Sequence, residues 1–422
     1  MPARISVATL FSFFGLFSLL TLAPPAHAAP LSFDAAVALA TQHASQIQMA
    51  RARLDAERQA AIPAGELPDP KLDLAIDNFP VGGPARNSLT QDFMTMRRIG
   101  ISQEMPNQDK REARVAAAQA RIARSEFEQR ATELMVQREA ASAWIKRYTL
   151  EQQLAQLDLM QQENRRFAAT VGAQLAQGKL APADSLLPRL EAAQLAGQID
   201  ELQAARTQAI AALRRWVGAA AEEPLLGQPR SWQLQQHELA QVVHRRPELL
   251  ALEANGRVLD AEVREAQAGK KPDWALGFAY QKRGAQFGDM ISLQWSIDLP
   301  LQGAKRQDPQ IAAKILQRAG LEFEREALRA EHSQMLANDW AELERITRAL
   351  ERNRSTLQAL AQEKLALTLA GYRANRATLQ DVMLARRDAL EVRLKQIMLE
   401  GELALLNSQL HFANIEHAGV EK

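Results

Sequence analysis

The chain of 422 residues has no cysteine, which excludes disulfides, thiolate metal sites and a lipid carried on an amino-terminal cysteine. Aromatic residues make up only 5%, while Ala, Leu, Gln, Glu and Arg dominate, a composition of long helices rather than of an aromatic-filled globule. Charge of one sign is also lacking: 51 Lys and Arg stand against 50 Asp and Glu, so there is no field to attract a polyanion and nucleic acid is not an expected partner. Beyond the first residues, no apolar run is long enough to cross a bilayer as a helix. A membrane role would have to be built from strands. No nucleophile–base constellation, phosphate loop or cofactor fingerprint is present, so neither an enzyme nor a cofactor is expected.

What is present begins with Arg4 ahead of an apolar run from Ile5 to Leu22, closed by Ala23-Pro24-Pro25 and Ala26-His27-Ala28-Ala29. This is the pattern of a secretory signal peptide over 1–28, cleaved near Ala28. Proline spacing then marks where helices are allowed. None occurs between Pro106 and Pro182 or after Pro309, permitting helices of about 70 residues, near 105 Å at about 1.5 Å per residue. In the second interval the apolar positions step by sevens through Leu321, Leu328 and Met335. After a one-residue shift they continue through Leu343, Leu350 and Leu357, with Ile346 and Leu360 as partners, a coiled-coil seam with a drift.

Two short regions have period two. Trp274, Leu276, Phe278 and Tyr280, then Ile291, Leu293, Trp295, Ile297 and Leu299, alternate with polar or small residues, predicting a hairpin with strands at about 273–282 and 289–299. A less regular hairpin is predicted at about 71–79 and 93–104, with a Pro- and Gly-rich loop between. The halves repeat one another. Pro68-Asp69 opens the first hairpin as Pro272-Asp273 opens the second; Ser102 to Pro106 corresponds to Ser296 to Pro300, each leading into a long helix; and Gly178 and Asp184 correspond to Asn375 and Asp381. The chain divides into repeats at 29–221 and 237–422, joined by a linker at 222–236.

Four amphipathic strands cannot lie open in lipid, because unpaired edge amides and carbonyls cost several kcal/mol each, and known single-chain bacterial barrels begin at eight strands. Identical chains must then pool their strands, with outer-membrane lipid against the oily faces and Ser292, Gln294, Ser296 and Asp298 lining water. The alternative is a soluble sandwich in which the oily faces bury each other, as in a periplasmic coiled-coil adaptor or scaffold.

Taken in this order, the duplicated unit, the Ser102 to Pro106 strand exit with its basic helix start, and the turns at Gly178 to Asp184 and Tyr372 to Val382 resemble the TolC-type outer-membrane efflux proteins over the mature chain. The resemblance implies a mainly α fold with β: a homotrimeric twelve-stranded outer-membrane barrel continued by a periplasmic helical barrel. It also implies an inner-membrane RND pump and a periplasmic membrane-fusion adaptor docking at Gly178, Lys179 and Leu180 and at Asn375, Arg376 and Ala377. Gly and Asn suit the left-handed backbone of such turns.

Asp381 matches a family position where carboxylates ring the narrow end of the tunnel, with Asp184 its repeat counterpart; the alternative for each is to cap the first turn of the ascending helix. Leu384 stands where the family has a second acidic residue. Phe93-Met94-Thr95-Met96-Arg97-Arg98 and Pro68-Asp69-Pro70 resemble the branch serving heavy-metal pumps, with drugs and other organic toxicants the alternative cargo. Met94 and Met96 are expected on one strand face, packing towards lipid. The histidines at 43, 237, 244, 332, 411 and 417 form no ligand-spaced pair and read as solvated or packing residues, and no metal site is expected.

Overall fold

The computed structural model describes residues 30–178 and 180–413; the signal peptide, Lys179 and His417 lie outside them. In chain order the elements are β1 (Leu31–Ser32), α1 (Phe33–His43), α2 (Ser45–Ala61), β2 (Lys71–Asp77), β3 (Met96–Met105), α3 (Gln108–Ala176), α4 (Leu187–Val217), β4 (Leu225–Leu226), α5 (Gln236–Val242), α6 (Pro247–Ala268), β5 (Trp274–Lys282), β6 (Met290–Ile297), α7 (Gln307–Arg352), α8 (Gln358–Arg373) and α9 (Leu379–Ala413). The architecture is mainly helical, with a four-stranded antiparallel sheet ordered β2-β3-β5-β6 at one end. No helix among the described residues is long and apolar enough to cross a membrane.

The proline-free interval after Pro106 is filled by α3, one helix of 69 residues. Asn107 caps it, its side chain accepting from the Lys110 amide at 3.0 Å. Above its middle α3 packs with α2 and α6, on which α7 lies in turn, and below with α4 and α9. Polar bonds tie the upper helices together: Glu262 of α6 accepts from Arg121 of α3 at 3.1 Å and from Lys314 of α7 at 2.7 Å. Burial by itself would raise the Glu262 carboxyl, but these two cations hold it below the usual range.

Around the middle of the rods sits the main core, built from Leu31, Phe33, Ile47, Val136, Trp144, Ile145, Leu213, Trp216 and Phe412. Indole Nε1 of Trp144 donates to the Leu31 carbonyl at 3.1 Å, and its ring stacks on Tyr148 and meets Phe33 edge-on. Arg147 is 1% exposed, satisfied by the Ala221 carbonyl at 2.6 Å and by Glu151 at 2.8 Å. β1 pairs in parallel with β4, and Asn407 of α9 bonds both backbone groups of Trp232 at 2.8 Å. Residues of the 222–236 stretch are thereby strapped against both halves.

The α7 seam follows a different register from the one expected. Leu336 is buried, whereas Met335 is 46% exposed, and the covered stripe runs Leu336, Asp339, Leu343, Ile346, Leu350, Asn353 in alternating steps of three and four. It then jumps five residues to Gln358. A π-helical turn at Asn353–Leu357 lies between α7 and α8 and absorbs the extra residue, so Leu357 and Leu360 face outward. The one-residue drift is therefore real but falls between Leu328 and Leu336, eight residues apart, and the π turn adds a second shift that re-aims the stripe without breaking the rod.

Candidate functional site

Two regions carry the candidate residues: the sheet at one end of the rods and the helical turns at the other. In the sheet, residues directly opposed on antiparallel strands share a face. The register gives the rows Leu72–Ile101–Phe278–Leu293 and Leu74–Ile99–Tyr280–Ile291, with Gln103–Leu276–Trp295 and Met105–Trp274–Ile297 towards the helices. The apolar members are open to the surroundings: Leu74 is 70%, Leu293 77% and Trp295 69% exposed. Among the described residues no second sheet covers this face.

The opposite face holds Lys71–Ser102–Gly277–Gln294, Asp73–Gly100–Ala279–Ser292 and Glu104–Ala275–Ser296. Ser292, Gln294 and Ser296 thus share one polar face, where Ser102 Oγ donates to Asp73 at 3.0 Å and Lys71 pairs with Glu104. Asp298 lies just past β6, its amide donating to the Asp273 carbonyl at 2.8 Å. Gly100 is needed here, because a Cβ would come within 3.0 Å of the Ala279 Cβ on the next strand. β2 and β6 are edges with no further strand partner among the described residues.

The strand ends differ from expectation at the first hairpin. Asn78, at φ 53°, turns the chain out of β2. Asp92 then accepts from the Met94 amide at 2.7 Å, and Asn78 donates to the Met94 carbonyl at 3.3 Å. These side-chain bonds form a turn that competes with the ladder, so β3 starts at Met96. The expected pair of methionines on a lipid-facing strand is overturned: Met94 lies in the turn and Met96 opposite Asp77 on the polar face. The two hairpin loops touch, since a Cβ on Gly284 would overlap the Thr90 carbonyl and Phe93 meets Phe287 edge-on at 6.5 Å.

At the other end, α3 turns into α4 and α8 into α9. Gly178 has φ 66° and Asn375 φ 54°, the left-handed geometry that Gly and Asn adopt most readily. The Tyr372 hydroxyl donates to Gln174 at 2.7 Å, which ties the two turns together. Leu180 is half-buried and Arg376 exposed, while the Ala377 Cβ packs over Gly371.

Asp381 closes a capping box with Thr378: its carboxylate accepts from the Thr378 amide at 2.8 Å and hydroxyl at 2.7 Å, and its own amide donates back to that hydroxyl at 3.1 Å. These bonds hold the carboxyl below the usual carboxylate range. Thr378 was legible as the other half of a Thr-x-x-Asp box. Asp184 lies in the single turn Pro182–Leu186, near enough to Tyr372 to push its hydroxyl up after burial has done so. Leu384 is exposed.

Sequence reasoning missed Arg386. It is buried on α9, over the Phe167 ring at 4.9 Å and against Met160 Sδ at 3.8 Å, clamping α9 to α3 above the turns. Of the histidines, His332 meets Arg246 at 2.8 Å and His411 stacks on Trp232 at 3.9 Å; both are packing residues. No group of three or more His, Asp or Glu poised to hold a metal occurs among the described residues.

No protein-family model matches the chain, and no curated protein does. Solved structures do. The channel-forming protein CusC superposes with TM-score 0.76 at 16% identity, covering 90% of this chain and 91% of its own. The outer-membrane protein VceC of Vibrio cholerae gives 0.75 at 19%, covering 90% and 95%. The open state of the Neisseria gonorrhoeae outer-membrane channel MtrE gives 0.71 at 14%, covering 90% and 88%. Identities this low speak for the fold, and the fold of this chain is that of the outer-membrane channel proteins.

Proposed function

We propose that three copies of this chain close one barrel in the outer membrane and, through the helices, a periplasmic tunnel that conducts solutes outward for an inner-membrane RND pump and its adaptor. The observation that carries this reading is the sheet itself: one face largely apolar and open, the other polar, two edges without a strand partner among the described residues, and long helical rods leaving from one end. Its unpaired edges are intolerable in hydrocarbon, four strands are too few to close, and joining β2 of one copy to β6 of the next satisfies both. On this reading Ser292, Gln294, Ser296 and Asp298 line the lumen. The paired turns at Gly178 to Leu180 and Asn375 to Ala377 form the tip that meets the adaptor. Asp381 is a helix cap first, and on the symmetry axis its carboxylate would also bias passage towards cations.

For cargo we favour heavy-metal cations, on the likeness of the Phe93 to Arg98 and Pro68 to Pro70 stretches to that branch of the efflux family. No step of the chain's own chemistry is involved. The test is fractionation followed by planar-bilayer recording. A detergent-dependent outer-membrane oligomer with channel activity is expected, and recovery as a water-soluble monomer would end the reading. Sensitivity of a deletion strain to copper, silver, zinc and cobalt, but not to organic toxicants, is expected for the metal cargo; the reverse pattern assigns drugs.

A further inference from the structure

We infer that Arg97 and Lys282 form a seat for the phosphate groups of an outer-leaflet glycolipid. The inference rests on the membrane reading above. Arg97 of β3 is paired directly with Lys282 of β5, and Ile76 with Arg97, so the two cations stand side by side on the apolar face. They occupy the row next beyond Leu74–Ile99–Tyr280–Ile291, on the side of the hairpin loops. Both are exposed. The Arg97 guanidinium has a long contact to the Arg283 carbonyl at 3.4 Å. Arg98, one residue on and on the polar face, is instead neutralised by Asp77 at 3.3 Å.

One carboxylate lies near. Asp289 immediately precedes Met290, the partner of Gln281, and it is engaged by the Tyr280 hydroxyl. Arg283 is turned aside, its Nε donating to the Gly288 carbonyl at 2.7 Å and its guanidinium lying over the Phe287 ring at 5.8 Å. The row therefore keeps two cations against one shared carboxylate.

Position selects the occupant. From the Trp274 row to the Lys282 row is about 26 Å along the strand at about 3.3 Å per residue, or about 20 Å of height at a tilt of about 40°. The cations thus stand at the top of the apolar band, where long basic side chains reach headgroups. At the opposite end this face carries Trp274 and Trp295 and no cation, so the charge is asymmetric between leaflets. Since the helices leave from the tryptophan end, the basic end faces outward. Two adjacent cations suit a phosphate monoester on a bulky glycolipid better than the zwitterionic head of a phospholipid.

The test uses the full chain in lipid vesicles, with insertion first checked by flotation. Native mass spectrometry then compares retention of bisphosphorylated lipid A, its dephosphorylated form, phosphatidylethanolamine and inorganic phosphate alone. Wild type is expected to retain the bisphosphorylated form about tenfold over the dephosphorylated one. Arg97→Gln with Lys282→Gln should lose that preference, while Arg98→Gln and the charge-preserving Arg97→Lys keep it. Equal retention by wild type and the double variant overturns the seat, and so does inorganic phosphate binding as well as the lipid. Failure of wild type to float with vesicles overturns the membrane reading, whereas flotation without lipid A preference overturns this inference alone.

Discussion

Replacing Leu293 by arginine, and in a separate variant Gln294 by arginine, sets the two faces of the sheet against each other at neighbouring positions. Leu293 is 77% exposed, in the central row with Leu72, Ile101 and Phe278. If that face met water, exchanging one exposed side chain for another would change stability by no more than about 0.5 kcal/mol. Against acyl chains near the bilayer midplane, the same change costs about 2 to 4 kcal/mol, or about 30- to 1,000-fold in the folding equilibrium. Gln294 points the other way, in the row with Lys71, Ser102 and Gly277, where an added cation meets water and the change should stay below about 1 kcal/mol. The assay is denaturant unfolding of vesicle-inserted protein, followed by the fluorescence of Trp274 and Trp295. Equal shifts for the two variants, or a larger one for Gln294→Arg, would refute the assignment of faces.

Asp381→Ala leaves the Thr378 amide without its acceptor and should fray the start of α9, read as about fivefold faster amide exchange over 379–385. If the carboxylates also ring the tunnel, single-channel conductance rises; unchanged conductance and cation block leave the cap as their whole role. Glu262→Gln should destabilise the upper helices by about 1 to 2 kcal/mol at neutral pH. Because the folded carboxyl is held below its unfolded value, that stability is present above the unfolded pKa and is lost as pH falls through the folded one. Thermal melts of wild type and variant should therefore converge in acid. His411 is pushed down to about 4 by burial and then by Arg230, so the unfolded chain takes up a proton first as pH falls from 6.5. Wild type should lose about 1 to 2 kcal/mol between pH 7.5 and 4.5, discounted for partial exposure, and His411→Phe less; parallel melting curves would contradict the assignment.

Legibility from sequence followed the range of the interactions. The alternation at Trp274 to Tyr280 and Ile291 to Ile297 marked β5 and β6 because side-chain period is a property of each strand alone. The Met94–Met96 reading failed because Asp92 and Asn78 side chains, bonding to nearby backbone, outcompeted the ladder. The seam was misplaced by one residue at Met335 because a strict step of seven from Leu328 overlooks the step of eight that reaches Leu336, and Leu357 and Leu360 were lost from it to the π turn at Asn353–Leu357.

By itself, the sequence determined the long uninterrupted helices, the amphipathic strands and the left-handed turns at Gly178 and Asn375, since proline, two-residue alternation and the absence or shortness of a side chain act within a few positions. Only the tertiary structure decided that Arg147 would be buried against Ala221, that Glu262 would bridge α3 and α7, and that Arg97 and Lys282 would stand together on the oily face. Those pairings join residues far apart in the chain. Which of them form depends on how the helices and strands pack as a whole, which no local pattern encodes.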